Sequence, residues 1–200
     1  MASVTGGCHC GAVRFAAEVN TSSGIECNCS YCVKSANLLA FTSADLFRQT
    51  AGEDKLTDYR FNKRVIAHLF CGDCGIGAFG TGKGPDGKEM AAINLRCVDG
   101  IDLDTSSGIE CNCSYCSKAA QLLSACDGEA LRITAGEDDL IEYRFNKQVI
   151  AHLFCEHCGI GPFARGSGRD GRPMAMINLR CVDGIDLEKV ERKPFNGAAL

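Results

Sequence analysis

The sequence predicts an all-β-dominated, β-rich fold with short helices, made of several small antiparallel sheets and internally duplicated. Three observations lead there. Short alternating β-rich runs separated by turn residues recur along the 200-residue chain, which argues for sheets rather than bundled helices. Fifteen cysteines, beside only four histidines, fall largely in close pairs. Residues 21–104 align without gaps to residues 105–188, an offset of 84, with 57 of the 84 positions identical.

The elements follow in order. Residues 4–19 read as a hairpin: residues 12–19 alternate, and Cys8-His9-Cys10-Gly11 supplies the turn. Gly24-Ile25-Glu26-Cys27 enters a cysteine cluster, and residues 30–37 suit a short helix. Ser43-Ala44-Asp45-Leu46-Phe47 reads as a one-turn helix capped by Ser43. Residues 55–61 alternate imperfectly through Leu56, Tyr59 and Phe61. Residues 65–70 form a strand ending at a Cys-x-x-Cys turn, residues 80–87 a glycine-rich hairpin loop, and residues 90–98 a further strand.

Composition narrows the function classes. Hydrophobic residues make up 46% and charged residues 23%, the globular range, which excludes a disordered or collagen-like chain. The net charge is −4 with scattered Lys and Arg, so no nucleic-acid footprint is expected. No apolar run approaches the roughly 18 residues of a membrane span. Residues 1–7 lack the basic and apolar regions of a secretory signal, so a cytoplasmic, reducing setting is expected, in which paired cysteines are metal ligands sooner than disulfides.

Spacing assigns those cysteines to metal. Cys8-x-Cys10, Cys27-x-Cys29 and Cys111-x-Cys113 are joined by Cys71-x-x-Cys74 and Cys155-x-x-Cys158. Two such half-sites build a tetrahedral zinc site. Cys8, Cys10, Cys71 and Cys74 make a closed set. Cys27, Cys29 and Cys32, repeated as Cys111, Cys113 and Cys116, give three ligands without a sequence-local fourth. Three ligands and an open position is the arrangement of catalytic zinc, whereas completion by His68 or His152 would make the site closed and structural. Cys97, Cys126 and Cys181 read as packed thiols. Tyr31, Tyr115, Lys34 and Lys118 lie near the triads in sequence as candidates for proton transfer, with solvated surface as the plainer role for both lysines.

The duplication is partial. Residues 1–104 form the first copy and residues 105–200 a second without the Cys-x-Cys hairpin. Cys155 and Cys158 therefore lack their partners. They stay vacant, recruit His157 or Cys126, or pair with another chain. A vacant site also implies an unpaired sheet edge where the hairpin would lie.

Gly7-Cys8-His9-Cys10-Gly11, Cys27-Asn28-Cys29-Ser30-Tyr31-Cys32, Phe70-Cys71-Gly72-Asp73-Cys74-Gly75, Ile93-Asn94-Leu95-Arg96-Cys97 and the closing Pro194-Phe195-Asn196-Gly197 together resemble the glutathione-dependent formaldehyde-activating enzyme / centromere protein V family. The resemblance implies two zinc ions per full copy, a structural one on Cys8, Cys10, Cys71 and Cys74 and a catalytic one on Cys27, Cys29 and Cys32. It implies a carbon–sulfur lyase that forms or cleaves an S-hydroxymethyl thiol adduct such as S-hydroxymethylglutathione. Its partners would be a glutathione-like thiol and an aldehyde, with a homo-oligomer left open. The alternative is a non-catalytic, zinc-stabilised binding module, because fold alone does not settle function.

Overall fold

A computed structural model describes residues 1–100, 111–168, 170–184, 186–188, 190 and 194. The expected boundary at residues 104/105, and Phe195-Asn196-Gly197 of the closing motif, lie outside the described residues. The described chain is β-rich, with three antiparallel sheets and two short helices among the described residues.

The first copy opens with the expected hairpin. Strands β1 (Ala2–Gly7) and β2 (Arg14–Val19) pair in register from Ala2↔Val19 to Gly7↔Arg14. Alternation turns Phe15, Ala17 and Val19 inward, all nearly inaccessible to solvent. After β3 (Ile25–Glu26) comes helix α1 (Ser30–Ser35), then β4 (Leu38–Ser43) and β5 (Phe47–Ala51). Strands β6 (Leu56–Tyr59), β7 (Ala67–Cys71), β8 (Phe79–Lys83) and β9 (Glu89–Asn94) complete the copy. They form a six-stranded sheet in the order β3-β4-β9-β8-β7-β6, while the hairpin takes β5 into a separate three-stranded sheet, β1-β2-β5. Phe15, Phe47 and Phe79 pack their rings together where the two sheets meet, with centroids 4.7 to 6.1 Å apart.

The second copy repeats this with helix α2 (Ser114–Ala119) and strands β10 (Leu123–Asp127), β11 (Leu140–Tyr143), β12 (Ala151–Cys155), β13 (Phe163–Ser167) and β14 (Pro173–Asn178). Its sheet has the order β10-β14-β13-β12-β11. The stretch equivalent to β5, residues 131–135, is not a strand, because no second hairpin is there to pair with it. The missing hairpin therefore leaves an uncovered face rather than the expected bare sheet edge. Ile160, Pro162, Phe163, Leu179 and Cys181 are half-exposed, whereas their counterparts Ile76, Ala78, Phe79, Leu95 and Cys97 are buried.

Four local expectations are corrected. Ser43 does precede a single helical turn, Ala44–Leu46, but its hydroxyl donates to the Asp45 carboxylate and caps no backbone N–H. The strand expected from residue 65 begins at Ala67, leaving Val65 and Ile66 half out in solvent. The glycine-rich loop is confined to residues 84–88, since β8 runs through Gly80 and Gly82. The strand expected over residues 90–98 stops at Asn94, whose side chain accepts from the Arg96 N–H and starts a helical turn, Leu95–Cys97.

The two copies face each other reciprocally. The Tyr31 hydroxyl donates to the Cys158 carbonyl at 3.3 Å, and the Tyr115 hydroxyl to the Cys74 carbonyl at 3.4 Å. A Cβ on Gly75 would sit 2.7 Å from the Phe154 ring, and one on Gly159 2.6 Å from the Phe70 ring. Helix α1 packs near the turn Leu179–Cys181 and α2 near Leu95–Cys97. Matching contacts in both directions are the signature of two-fold packing, here within one chain.

Candidate metal and thiolate centres

The hairpin tip makes the first centre. The Cys8 N–H donates to the Val13 carbonyl at 3.0 Å and the Val13 N–H to the Cys8 sulfur at 3.3 Å. That loop holds Cys8 and Cys10 against the Cys71-x-x-Cys74 turn, which is closed by the Gly75 N–H on the Cys71 carbonyl at 2.8 Å. The four sulfurs lie within 4.8 Å of one another. Cys8 Sγ and Cys10 Sγ are 3.5 Å apart, and Cys10 Sγ and Cys71 Sγ 3.7 Å. Sulfurs around a tetrahedral zinc with bonds of about 2.3 Å sit about 3.8 Å apart, so this donor set fits the ion. Cys8, Cys71 and Cys74 are buried and only Cys10 is exposed.

The second centre is built on α1. Cys29 is the N-cap residue, and its sulfur accepts from the Cys32 N–H at 3.4 Å. One turn on, Ala36 adopts φ 50° and returns its N–H to the Cys32 carbonyl. Arg96 Nε donates to the Ala36 carbonyl at 3.1 Å, and Asn94 Nδ2 donates to Asn37 and to the Gly77 carbonyl. The Ile-Asn-Leu-Arg-Cys motif thus fastens the cysteine helix to the end of β9. The geometry recurs on α2, where Cys113 accepts from the Cys116 N–H at 3.4 Å and Arg180 Nε donates to the Ala120 carbonyl at 3.1 Å.

In each triad the three sulfurs lie within 4.8 Å of one another, Cys27, Cys29 and Cys32 in one and Cys111, Cys113 and Cys116 in the other. Among the described residues, no fourth Cys, His, Asp or Glu atom joins either group. The N-cap thiol is the acidic member of each. Thiol hydrogen bonds from Cys111 and Cys116 bring Cys113 down to about 2. Burial opposes ionisation of Cys29, but the Cys32 N–H and the neighbouring thiols outweigh it. A thiolate seated on backbone N–H groups is the form that binds metal.

The surroundings of the triads differ. Cys27, Cys29 and Cys32 face a groove of about 620 Å³ whose walls include Phe41, Phe61, Ile66 and His68 and whose rim carries Lys63 and Arg64. His68 lies against Tyr31, ring centroids 4.3 Å apart, and burial lowers its basicity. At the second triad the hairpin tip of copy one crosses over. His9 Nδ1 is 2.7 Å from the Tyr143 hydroxyl and His9 Nε2 2.9 Å from Ser114 Oγ, next to Cys113. Its ring stands edge-on to Tyr115, Tyr143 and Phe145. His9 was not among the candidates read from sequence; its place between two zinc-spaced cysteines pointed to the hairpin turn and not to a centre over 100 residues away.

Tyr31 and Tyr115 are cross-copy struts, buried and pushed up first by desolvation. Lys118 donates to the Gly7 carbonyl at 3.3 Å, and Lys34 lies 3.8 Å from Asp183. His152 is held to about 4 by burial, and its Nδ1 has no hydrogen-bond partner among the described residues. Cys155 and Cys158 lie at the equivalent turn, half-exposed, and no third donor joins them among the described residues. His157 turns instead to Asp139, 3.2 Å away, and to Glu156.

Comparison with known proteins adds two findings. The sequence model described as glutathione-dependent formaldehyde-activating enzyme matches residues 3–106 and again residues 98–195. A solved crystal structure of a Rhodobacter sphaeroides protein is 29% identical, with a TM-score of 0.45, over 49% of this chain and 90% of that one.

Proposed function

From a chain that belongs, twice over, to the glutathione-dependent formaldehyde-activating enzyme family, we propose a zinc-dependent carbon–sulfur lyase that joins an aldehyde to a glutathione-like thiol, or reverses that addition. The observation that carries the reading is the convergence of Cys27, Cys29 and Cys32 in the lining of a groove of about 620 Å³. Cys8, Cys10, Cys71 and Cys74 would hold one zinc as a closed, structural site. Cys27, Cys29 and Cys32, and likewise Cys111, Cys113 and Cys116, would hold one each. Zinc at a three-thiolate site supplies Lewis acidity that favours a substrate thiol in its thiolate form.

The chain's own residues account for the rest. The Lys63 and Arg64 side chains at the rim offer cations to the carboxylates of a peptide-like thiol. The apolar walls, Phe41, Phe61 and Ile66, shed water around a one-carbon aldehyde. Asn94 and Arg96 fix the helix that carries the triad, so the thiol and the carbonyl carbon meet in a set geometry. In the forward direction a carbon–sulfur bond forms as the carbonyl π bond becomes a hydroxyl, and the thiol proton ends on that oxygen.

Exchange spectroscopy on formaldehyde, glutathione and their adduct tests this. The zinc-loaded protein is expected to speed interconversion above the buffer rate. Full zinc loading with no acceleration would favour the binding-module reading.

A further inference from the structure

Zinc is satisfied by four thiolates in a closed site, and a Cys-x-x-Cys turn supplies two. In copy one the other two come from the hairpin. In copy two, Cys155-x-x-Cys158 has the same turn, with the Gly159 N–H on the Cys155 carbonyl at 2.8 Å. The chain's one Cys-x-Cys hairpin is already seated on Cys71 and Cys74. His157, inside the turn, is engaged by Asp139, and Cys126 joins no donor group among the described residues.

We propose that Cys155 and Cys158 are half of a zinc site completed by the same two cysteines of a second copy of this chain. Two dithiol turns facing across a two-fold axis provide four sulfurs, and binding one Zn²⁺ releases four thiol protons with no change of oxidation state. The inference rests on the zinc reading of the closed site in copy one. A self-complementary contact uses the same patch on both chains, and the patch around this turn is suited to it. Ile160, Pro162, Phe163 and Leu179 are half-exposed, while the residues at the same positions in copy one are buried to 5% exposure or less beneath the hairpin. A second chain would cover that apolar surface as it closes the metal site. A hairpin taken from a second chain is the poorer occupant, because each chain has one hairpin for two such turns, and an exchange between chains would uncover one turn for each it fills.

Size-exclusion chromatography with light scattering, combined with zinc analysis, tests it. The zinc-loaded chain is expected to be a dimer with about 3.5 zinc ions per chain, from the three four- or three-cysteine groups within the chain plus half of the shared one. Cys155→Ser/Cys158→Ser is expected to be monomeric with half an ion less per chain. Phe163→Asp, which keeps both cysteines, is expected to weaken the dimer as well. The half-ion difference and the change of mass read this proposal, whereas the ions retained by the double variant read the other three sites. A zinc-loaded monomer whose Cys155 and Cys158 react freely with maleimide would overturn it. So would a dimer indifferent to both variants, or a monomer that loses a whole ion in the double variant.

Discussion

Cys10 separates the two roles a cysteine plays in this fold. It is exposed, so its replacement forfeits little burial, yet it sits 3.5 Å from Cys8 and 3.7 Å from Cys71 in the closed set. Cys10→Ser is expected to lower the melting temperature by about 10 °C, corresponding to roughly 3 kcal/mol in a chain of this size. Differential scanning calorimetry on zinc-loaded protein checks this, and an unchanged melting temperature would remove the closed site from the account. The neighbouring His9 has a different consequence, because its contacts lie at the second triad. With Cys29→Ser confining chemistry to copy two, His9→Ala is expected to lower kcat/KM about tenfold, the worth of one or two lost hydrogen bonds. With Cys113→Ser confining it to copy one, the same change should leave kcat/KM within about twofold. Equal losses in the two backgrounds would mean that His9 acts only through folding.

Glycine carries different meanings in different elements. Gly75 has φ +75° and faces the Phe154 ring at 2.7 Å, whereas Gly87 has φ +79° and open space around its missing Cβ. Gly75→Ala is therefore expected to cost about 1–3 kcal/mol more than Gly87→Ala in denaturant unfolding, since only the first adds a clash to the left-handed backbone. Equal costs would deny the copy-to-copy packing. The hairpin, α1 and most strands were legible because alternation and turn chemistry act over a few residues. Gly80 misled because glycine marks both turns and crowded sheets: a Cβ there would lie 2.8 Å from the Ala67 carbonyl oxygen. Its repeat counterpart, Ala164 in β13, held the signal that this position is strand. Asn94 misled the other way, its apolar neighbours extending a strand that its own side chain ends.

At the scale of the whole molecule, the duplication was readable from the gapless alignment of the two copies and the cysteine grouping from spacing, and the sulfurs of the four-cysteine set and of each triad lie within 4.8 Å of one another. The relation between the copies was not. Tyr31 meets Cys158 and His9 meets Tyr143 across more than 120 residues, and contacts of that separation leave no periodic trace in a sequence. The result is one chain with two unlike triads, one open to a groove and one approached by His9. No helix among the described residues is long and apolar enough to cross a membrane. The central claim is that the triads, and not the closed site, perform the chemistry. Exchange spectroscopy on Cys29→Ser/Cys113→Ser tests it most directly. The account predicts that the double variant keeps the zinc of the closed site and its fold while glutathione–formaldehyde interconversion falls to the buffer rate. A folded double variant that still accelerates the exchange like the parent protein would contradict it.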